Sequence, residues 1–158
     1  MGIKKGHRFP AMHDAAFEKG VLLLDGIEPV YKYNERRRAY TTEQDRDEVT
    51  GLLMWKARLM DLDADVKDKQ AGVNLIFLAE VRPIPVGREW RPGVWEIELE
   101  GLTVEARASV AGDFATMSYT YRATGIKGDT SGAKQPPVDA PATRPVRSDK
   151  SAADKAVA

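Results

Sequence analysis

Apolar and polar residues alternate with a period of two through most of residues 21–127, and that period predicts β-strands. Residues 21–25 are a short apolar run that Gly26 ends. In residues 30–33, Tyr31 and Tyr33 share one face, while Val30 and Lys32 share the other. Residues 73–81 put Val73, Leu75, Phe77, Ala79 and Val81 on one face and stop before Pro83, which cannot donate to a ladder. Trp95, Ile97 and Leu99 alternate with Glu96, Glu98 and Glu100. After Gly101, Leu102, Val104, Ala106 and Ala108 alternate with Thr103, Glu105 and Arg107, so the pattern predicts a hairpin turning at Gly101. A last strand over residues 116–123 sets Met117, Tyr119, Tyr121 and Ala123 on one face and Ser118, Thr120 and Arg122 on the other.

Residues 49–59 fit two periods. Val49, Gly51, Leu53, Trp55, Ala57 and Leu59 align as a strand, whereas Leu52, Trp55, Leu59, Leu62 and Val66 align as a helix. The turn chemistry of Thr50-Gly51 favours the strand. About six strands with short connections and no convincing long helix predict an all-β domain. At this size a small OB-like Greek-key barrel of five to six strands is a natural solution, with an SH3-like barrel or small sandwich as alternatives.

The ends differ from this middle. Residues 1–20 are polar and mixed and read as an arm, with at most a helical turn near Asp14. From Gly128 onward Pro136, Pro137, Pro141 and Pro145 are interspersed with Ala, Ser, Lys and Asp, without aromatics. Such a segment buries too little apolar area to offset its ordering entropy, so 128–158 is expected to be a disordered Pro/Ala-rich tail after a 21–127 domain.

Composition narrows the function classes. The apolar run at residues 21–24 is far short of the ~18 residues of a membrane helix, no run in the chain approaches that length, and no secretory h-region follows Lys4, Lys5 and Arg8. Cysteine is absent, which removes disulfides and thiolate metal sites and fits a cytoplasmic protein. Basic and acidic residues number 24 each, so the chain is neutral, against the usual footprint of nucleic-acid binding. A neutral total can still hold a basic face, because binding responds to the local field.

Enzyme signatures are missing: no P-loop, G-x-G-x-x-G, G-x-S-x-G or H-E-x-x-H occurs. His7 and His13 lie in the polar arm and read as solvated, not as a metal pair. Asp61, Asp63 and Asp65 lack the glycine and glutamate of a calcium loop. No acid, base, nucleophile and metal set converges, so a non-enzymatic protein without metal or cofactor is expected.

The most informative local feature runs from Tyr31 to Tyr40. Tyr31, Tyr33 and Tyr40 interleave with Lys32, Arg36, Arg37 and Arg38, opposed within the run by Glu35 alone. Single-stranded nucleic acid asks for both groups: aromatic faces stack bases and cations follow the phosphates. The bland alternative is a hairpin with tyrosines packed on the core and arginines solvated. A second cluster holds Arg82, Arg88 and Arg91 with Trp90 and Trp95. Trp95 and Trp55 read as core, while Trp90 is either a stacker or a lid on the barrel. Thr120 and Arg122 could extend either patch.

Three stretches carry a family resemblance: Asp47-Glu48-Val49-Thr50-Gly51 leading to Trp55, the run from Trp95 to Leu102, and Tyr119-x-Tyr121-Arg122-Ala123-x-Gly125-Ile126. In these, and in the order of its elements from Tyr31 to Ile126, the chain resembles the OB-like single-stranded-DNA-binding accessory proteins of plasmids and integrative conjugative elements, including helicase processivity factors. The resemblance implies a cytoplasmic protein of replication or transfer that binds single-stranded DNA beside a helicase or relaxase. The chain ends without the acidic, Phe-terminated tail of housekeeping single-strand binders, so that docking role does not carry over. Tyr31, Tyr33, Tyr40 and Trp90 would stack, and Lys32, Arg36, Arg37, Arg38, Arg88 and Arg91 would meet phosphates. The alternative is a non-enzymatic barrel that recruits a replication or transfer protein; an oligomer is compatible with either.

Overall fold

The computed structural model describes residues 2–63, 65 and 71–131. The expected tail from 132 onward lies outside them. The described residues are almost entirely β: β1 (Arg8–Pro10), β2 (Val21–Pro29), β3 (Tyr31–Asn34), β4 (Ala39–Gln44), β5 (Met54–Asp61), β6 (Gly72–Leu78), β7 (Arg88–Arg91), β8 (Val94–Ile97), β9 (Leu99–Glu100), β10 (Thr103–Ala111), β11 (Phe114–Ala123) and β12 (Gly125–Ile126), with one short helix, α1 (His13–Ala16). Eight strands form one mixed sheet in the order β1-β10-β11-β6-β5-β2-β8-β7. Pairing is antiparallel except between β6 and β11, where Leu75 to Phe77 run parallel to Tyr121 to Ala123.

The sheet returns on itself. Only Glu98 separates β8 from β9, and only Thr124 separates β11 from β12. Leu99 pairs with Ile126 and Glu100 with Gly125, in the same register that carries β10 along β11. The ladder continues as Lys127 N–H donates to the Glu98 carbonyl at 2.8 Å and Thr124 N–H to the Glu100 carbonyl at 2.9 Å. Because β8 pairs with β2, the circuit β2–β5–β6–β11/β12–β9/β8 closes. The all-β class expected from the sequence is what the described residues show. Inside it Val21, Leu23, Ile27, Ala57, Leu59, Leu75, Phe77, Ile97, Leu99, Leu102 and Ile126 are all buried.

Several expectations change. Segment 54–61 is a strand, so the helical alternative falls: Ala57 and Leu59 face the core while Lys56 and Arg58 are exposed. The turn expected at Gly101 is not a hairpin. The chain bends there and runs on, and the hairpin turns at Gly112 between β10 and β11. Gly101 has φ of 64°, and a Cβ on it would lie 2.2 Å from Thr124 Oγ1. A glycine between alternating runs marks a corner of the barrel as well as it marks a turn. Likewise Gly26 does not end the first strand. Asp25 takes φ of 59°, the register slips between Leu24 and Glu28, and β2 continues to Pro29 as a bulged strand.

The arm expected at 1–20 is partly built into the domain. β1 adds to β10, and Phe17 after α1 is only 3% exposed. His13, expected to be solvated, accepts the Leu99 N–H through Nδ1 at 3.2 Å. Arg8 makes two bonds, 2.7 and 2.8 Å, to the buried carboxylate of Asp47. Burial alone would raise the Asp47 carboxyl, but the Arg8 bonds and the Thr50 backbone and hydroxyl donors outweigh it and hold it well below the usual carboxylate range. Beyond residue 127, Asp129 is buried and accepts the Ile84 N–H at 3.0 Å, so the ordered chain passes the expected boundary.

Two stability predictions follow from these contacts. Gly101→Ala should cost about 2 kcal/mol or more, from the left-handed backbone and the Thr124 contact together; urea unfolding followed by tryptophan fluorescence measures it. Asp47→Asn should cost about 3 kcal/mol at neutral pH, since it leaves Arg8 without its counter-charge. The lowered Asp47 carboxyl contributes stability above its unfolded pKa of about 4, and that contribution is lost as pH falls below it. Unfolding free energies measured down the acid limb should therefore fall less steeply in the Asn variant than in the parent.

Candidate nucleic-acid interface

β2 ends at Pro29 and β5 begins at Met54; between them the chain rises as the β3–β4 ribbon. Its root is fixed by backbone bonds: Val30 N–H to Met54 O at 3.0 Å, Asp45 N–H to Val30 O at 2.7 Å and Met54 N–H to Asp45 O at 3.1 Å. The Gln44 amide adds a 2.8 Å bond to the same Met54 carbonyl. At the tip, the Asn34 side chain accepts the Arg37 N–H at 3.0 Å, and Arg38 takes a left-handed φ of 51° to close the loop. Asn is the residue type that makes such a side-chain-to-backbone turn.

The ribbon exposes what the sequence singled out. Tyr31, Tyr33 and Tyr40 are 43%, 51% and 73% exposed, so they do not pack on the core. Tyr33 and Tyr40 are cross-strand partners in an edge-to-face pair with centroids 5.0 Å apart. Arg36, Arg37 and Arg38 are exposed and have no ion-pair partner among the described residues. Lys32 differs from the expected free cation, because Glu43 across the ribbon pairs with it. That pair is solvated and weakly held.

Next to the ribbon root lies a groove of about 470 Å³ on the outer face of β2, β5 and β6. Leu24, Glu28, Lys56, Arg58, Asn74 and Ile76 are among the residues that line it. Arg58 faces Leu24 and Asn74 across its two neighbours, and Lys56 faces Glu28 and Ile76. Lys56 reaches Glu28 only at 3.8 Å, and Arg58 has no ion partner among the described residues. The sequence contained a signal for these two cations. They occupy the positions opposite Trp55, Ala57 and Leu59, but the competing helical period hid which residues faced outward.

The Arg82 to Trp95 cluster divides. Arg82 lies over the ring of Trp55, 5.5 Å from its centroid, while the Trp55 N–H donates to Ala79 O at 2.8 Å. Trp95 is half-buried against the core. Arg88, Trp90 and Arg91 lie on β7, hydrogen-bonded to β8. A register slip between Glu89 and Arg91 makes Trp90 the extra residue, so Arg88 faces Glu96 and Arg91 faces Val94 on one side of the sheet. Trp90 is half exposed; its N–H donates to Glu96 Oε1 at 3.0 Å, and the Arg88 guanidinium sits 5.9 Å from its ring. Leu22 pairs with both Met60 and Glu96. Cross-strand partners point the same way, so Arg88 and Arg91 point outward as Lys56 and Arg58 do, but from a strand three places away from β5. No hydrogen bond, ion pair or ring contact joins β7 to the β3–β4 ribbon among the described residues.

Arg122 does not extend either patch. It is buried and donates to Glu105 at 2.7 Å. The Arg122 bond, opposed by burial and reinforced by Arg107, holds the Glu105 carboxyl below its ordinary value. No group of three or more His, Cys, Asp or Glu side chains that could hold a metal occurs among the described residues, and no helix among them is long and apolar enough to cross a membrane. Comparison with family models, curated proteins and solved structures returned no match.

Proposed function

We propose that this is a non-enzymatic single-stranded-DNA-binding protein that uses the β3–β4 ribbon and the adjoining groove of β5 and β6. The observation that carries the reading is the exposed Tyr33–Tyr40 pair beside three exposed arginines that make no ion pair among the described residues, on a ribbon rooted two residues from Lys56. OB barrels bind oligonucleotides on the outer face of their second and third strands and on the loops between the first and second and between the fourth and fifth. On the proposed reading β5 and β6 would supply that face and the β3–β4 ribbon the first of those loops. The bases would stack on Tyr31, Tyr33 and Tyr40, and the phosphates would follow Arg36, Arg37, Arg38, Lys56 and Arg58. Arg88, Trp90 and Arg91 also point outward, three strands from β5, and would meet only an oligonucleotide long enough to pass around the sheet. A cytoplasmic role in replication or transfer of a plasmid or conjugative element, beside a helicase or relaxase, rests on the sequence resemblance alone.

Fluorescence anisotropy with labelled oligo-dT tests the reading. Tyr33→Ala and Tyr40→Ala should each weaken binding about tenfold, within the stacking energy of one base. Changing Arg36, Arg37 and Arg38 together to Ala should reduce the magnitude of the slope of log K against log salt by about 2. The arginines are exposed, so unfolding midpoints should hold. Absence of binding at low salt would sink the proposal and leave an interaction barrel, whose partner would be retained after nuclease treatment and after the triple change.

A further inference from the structure

The β10–β11 ribbon leaves the barrel at the end where β5 finishes and β6 begins, opposite the β3–β4 ribbon. β11 pairs with β10 along its length, but its other edge meets β6 only at Tyr121 to Ala123. From 114 to 120 that edge has no strand partner among the described residues. Natural edge strands are normally guarded by charge, proline, bulges or a covering segment. Elsewhere this chain follows that rule: β1 carries Arg8 and Pro10, and β7 is bulged and carries Arg88 and Arg91. The 114–120 stretch reads Phe-Ala-Thr-Met-Ser-Tyr-Thr, with no charge, proline or glycine.

One face of the ribbon is also uncharged. Ala115, Met117 and Tyr119 align with Val110, Ala108 and Ala106 across the hairpin. They continue the face on which Tyr121 packs against the core, yet Val110, Met117 and Tyr119 are 74%, 58% and 54% exposed.

We infer that the free edge of β11 pairs with the same edge of a second copy of this chain. Antiparallel pairing centred on Met117 sets Ala115 opposite Tyr119 and Thr116 opposite Ser118. A small side chain then meets a large one, and hydroxyl meets hydroxyl. No charge enters the seam, and with 24 basic and 24 acidic residues the copies carry no net repulsion. Because each ribbon projects from its barrel and the two run antiparallel, the barrels would stand toward opposite ends of the joined four-stranded sheet. The interface is isologous, as in most homodimers.

Sedimentation equilibrium of the full chain tests this, with the expected mass rising to the dimer as concentration increases. Met117→Lys places two ammonium groups opposite each other and should weaken association at least about a hundredfold, with an unchanged circular dichroism spectrum. Met117→Cys supplies a second reading that does not rely on the lysine variant folding. The parent has no cysteine, and directly opposed residues of an antiparallel pair lie at a separation that a disulfide accepts. Oxidation should yield a covalent dimer from Met117→Cys and none from Thr42→Cys on the other ribbon. A parent that stays monomeric, a dimer that survives Met117→Lys, or equal cross-linking at residue 42 each overturns the inference.

Discussion

Everything in this molecule depends on a bend at one residue. At Gly101 the strand that begins with β8 turns from β2 toward Thr124 and carries on into β10, so that Leu99 and Glu100 meet Ile126 and Gly125. Without that bend β8 would run straight off the sheet and β12 would have no partner. The circuit would stay open, and Leu99, Leu102 and Ile126 would lose the enclosure that buries them. A positive φ and a Thr124 hydroxyl within 2.2 Å of where a Cβ would sit leave room only for glycine. Both the β3–β4 ribbon that carries the tyrosines and the β10–β11 ribbon are outgrowths of this ring. Their orientation follows from its closure.

The zero net charge resolves into two populations with different work. Arg8, Arg122, Asp47 and Glu105 are spent against one another at or near the barrel wall, where Asp47 and Glu105 are buried. Arg36, Arg37, Arg38 and Arg58 face solvent without carboxylate partners among the described residues. A count over the chain adds these populations and cancels them. On the β3–β4 ribbon Lys32, Arg36, Arg37 and Arg38 outnumber Glu35 and Glu43, so the local balance stays basic although the chain is neutral.

How much of this was legible in the sequence depends on the range of the interaction. Local alternation placed Leu75 and Phe77 inside, put Met117 and Tyr119 on one side of the last strand, and singled out the Tyr31 to Tyr40 run. It could not tell the bend at Gly101 from a hairpin, because both preserve alternation on either side of a glycine. What separates them is Thr124, more than twenty residues away. The arm was misread for a related reason. Arg8 and Phe17 look unremarkable among polar neighbours until Asp47 and the barrel mouth are brought to them. Lys56 and Arg58 were readable in principle, but Leu52, Trp55 and Leu59 also fit a helical stripe. Only pairing with β2 and β6 decides the period.

The parallel pair between β6 and β11 sets the order in which the chain can fold. β5 and β6 can meet early, and so can β10 and β11, since each pair is close in sequence. Leu75 must wait for Tyr121, and Leu99 can be sealed only when Ile126 is in place. The first of these steps closes a long loop before its contacts contribute, whereas the second extends the β10–β11 ladder in register, so docking β6 on β11 is the step expected to be slow. Until the seam forms, the nascent chain shows a half-built sheet whose open edges include residues 114–120. The stretch of β11 that has no strand partner among the described residues is therefore also one of the last to gain a barrel beside it.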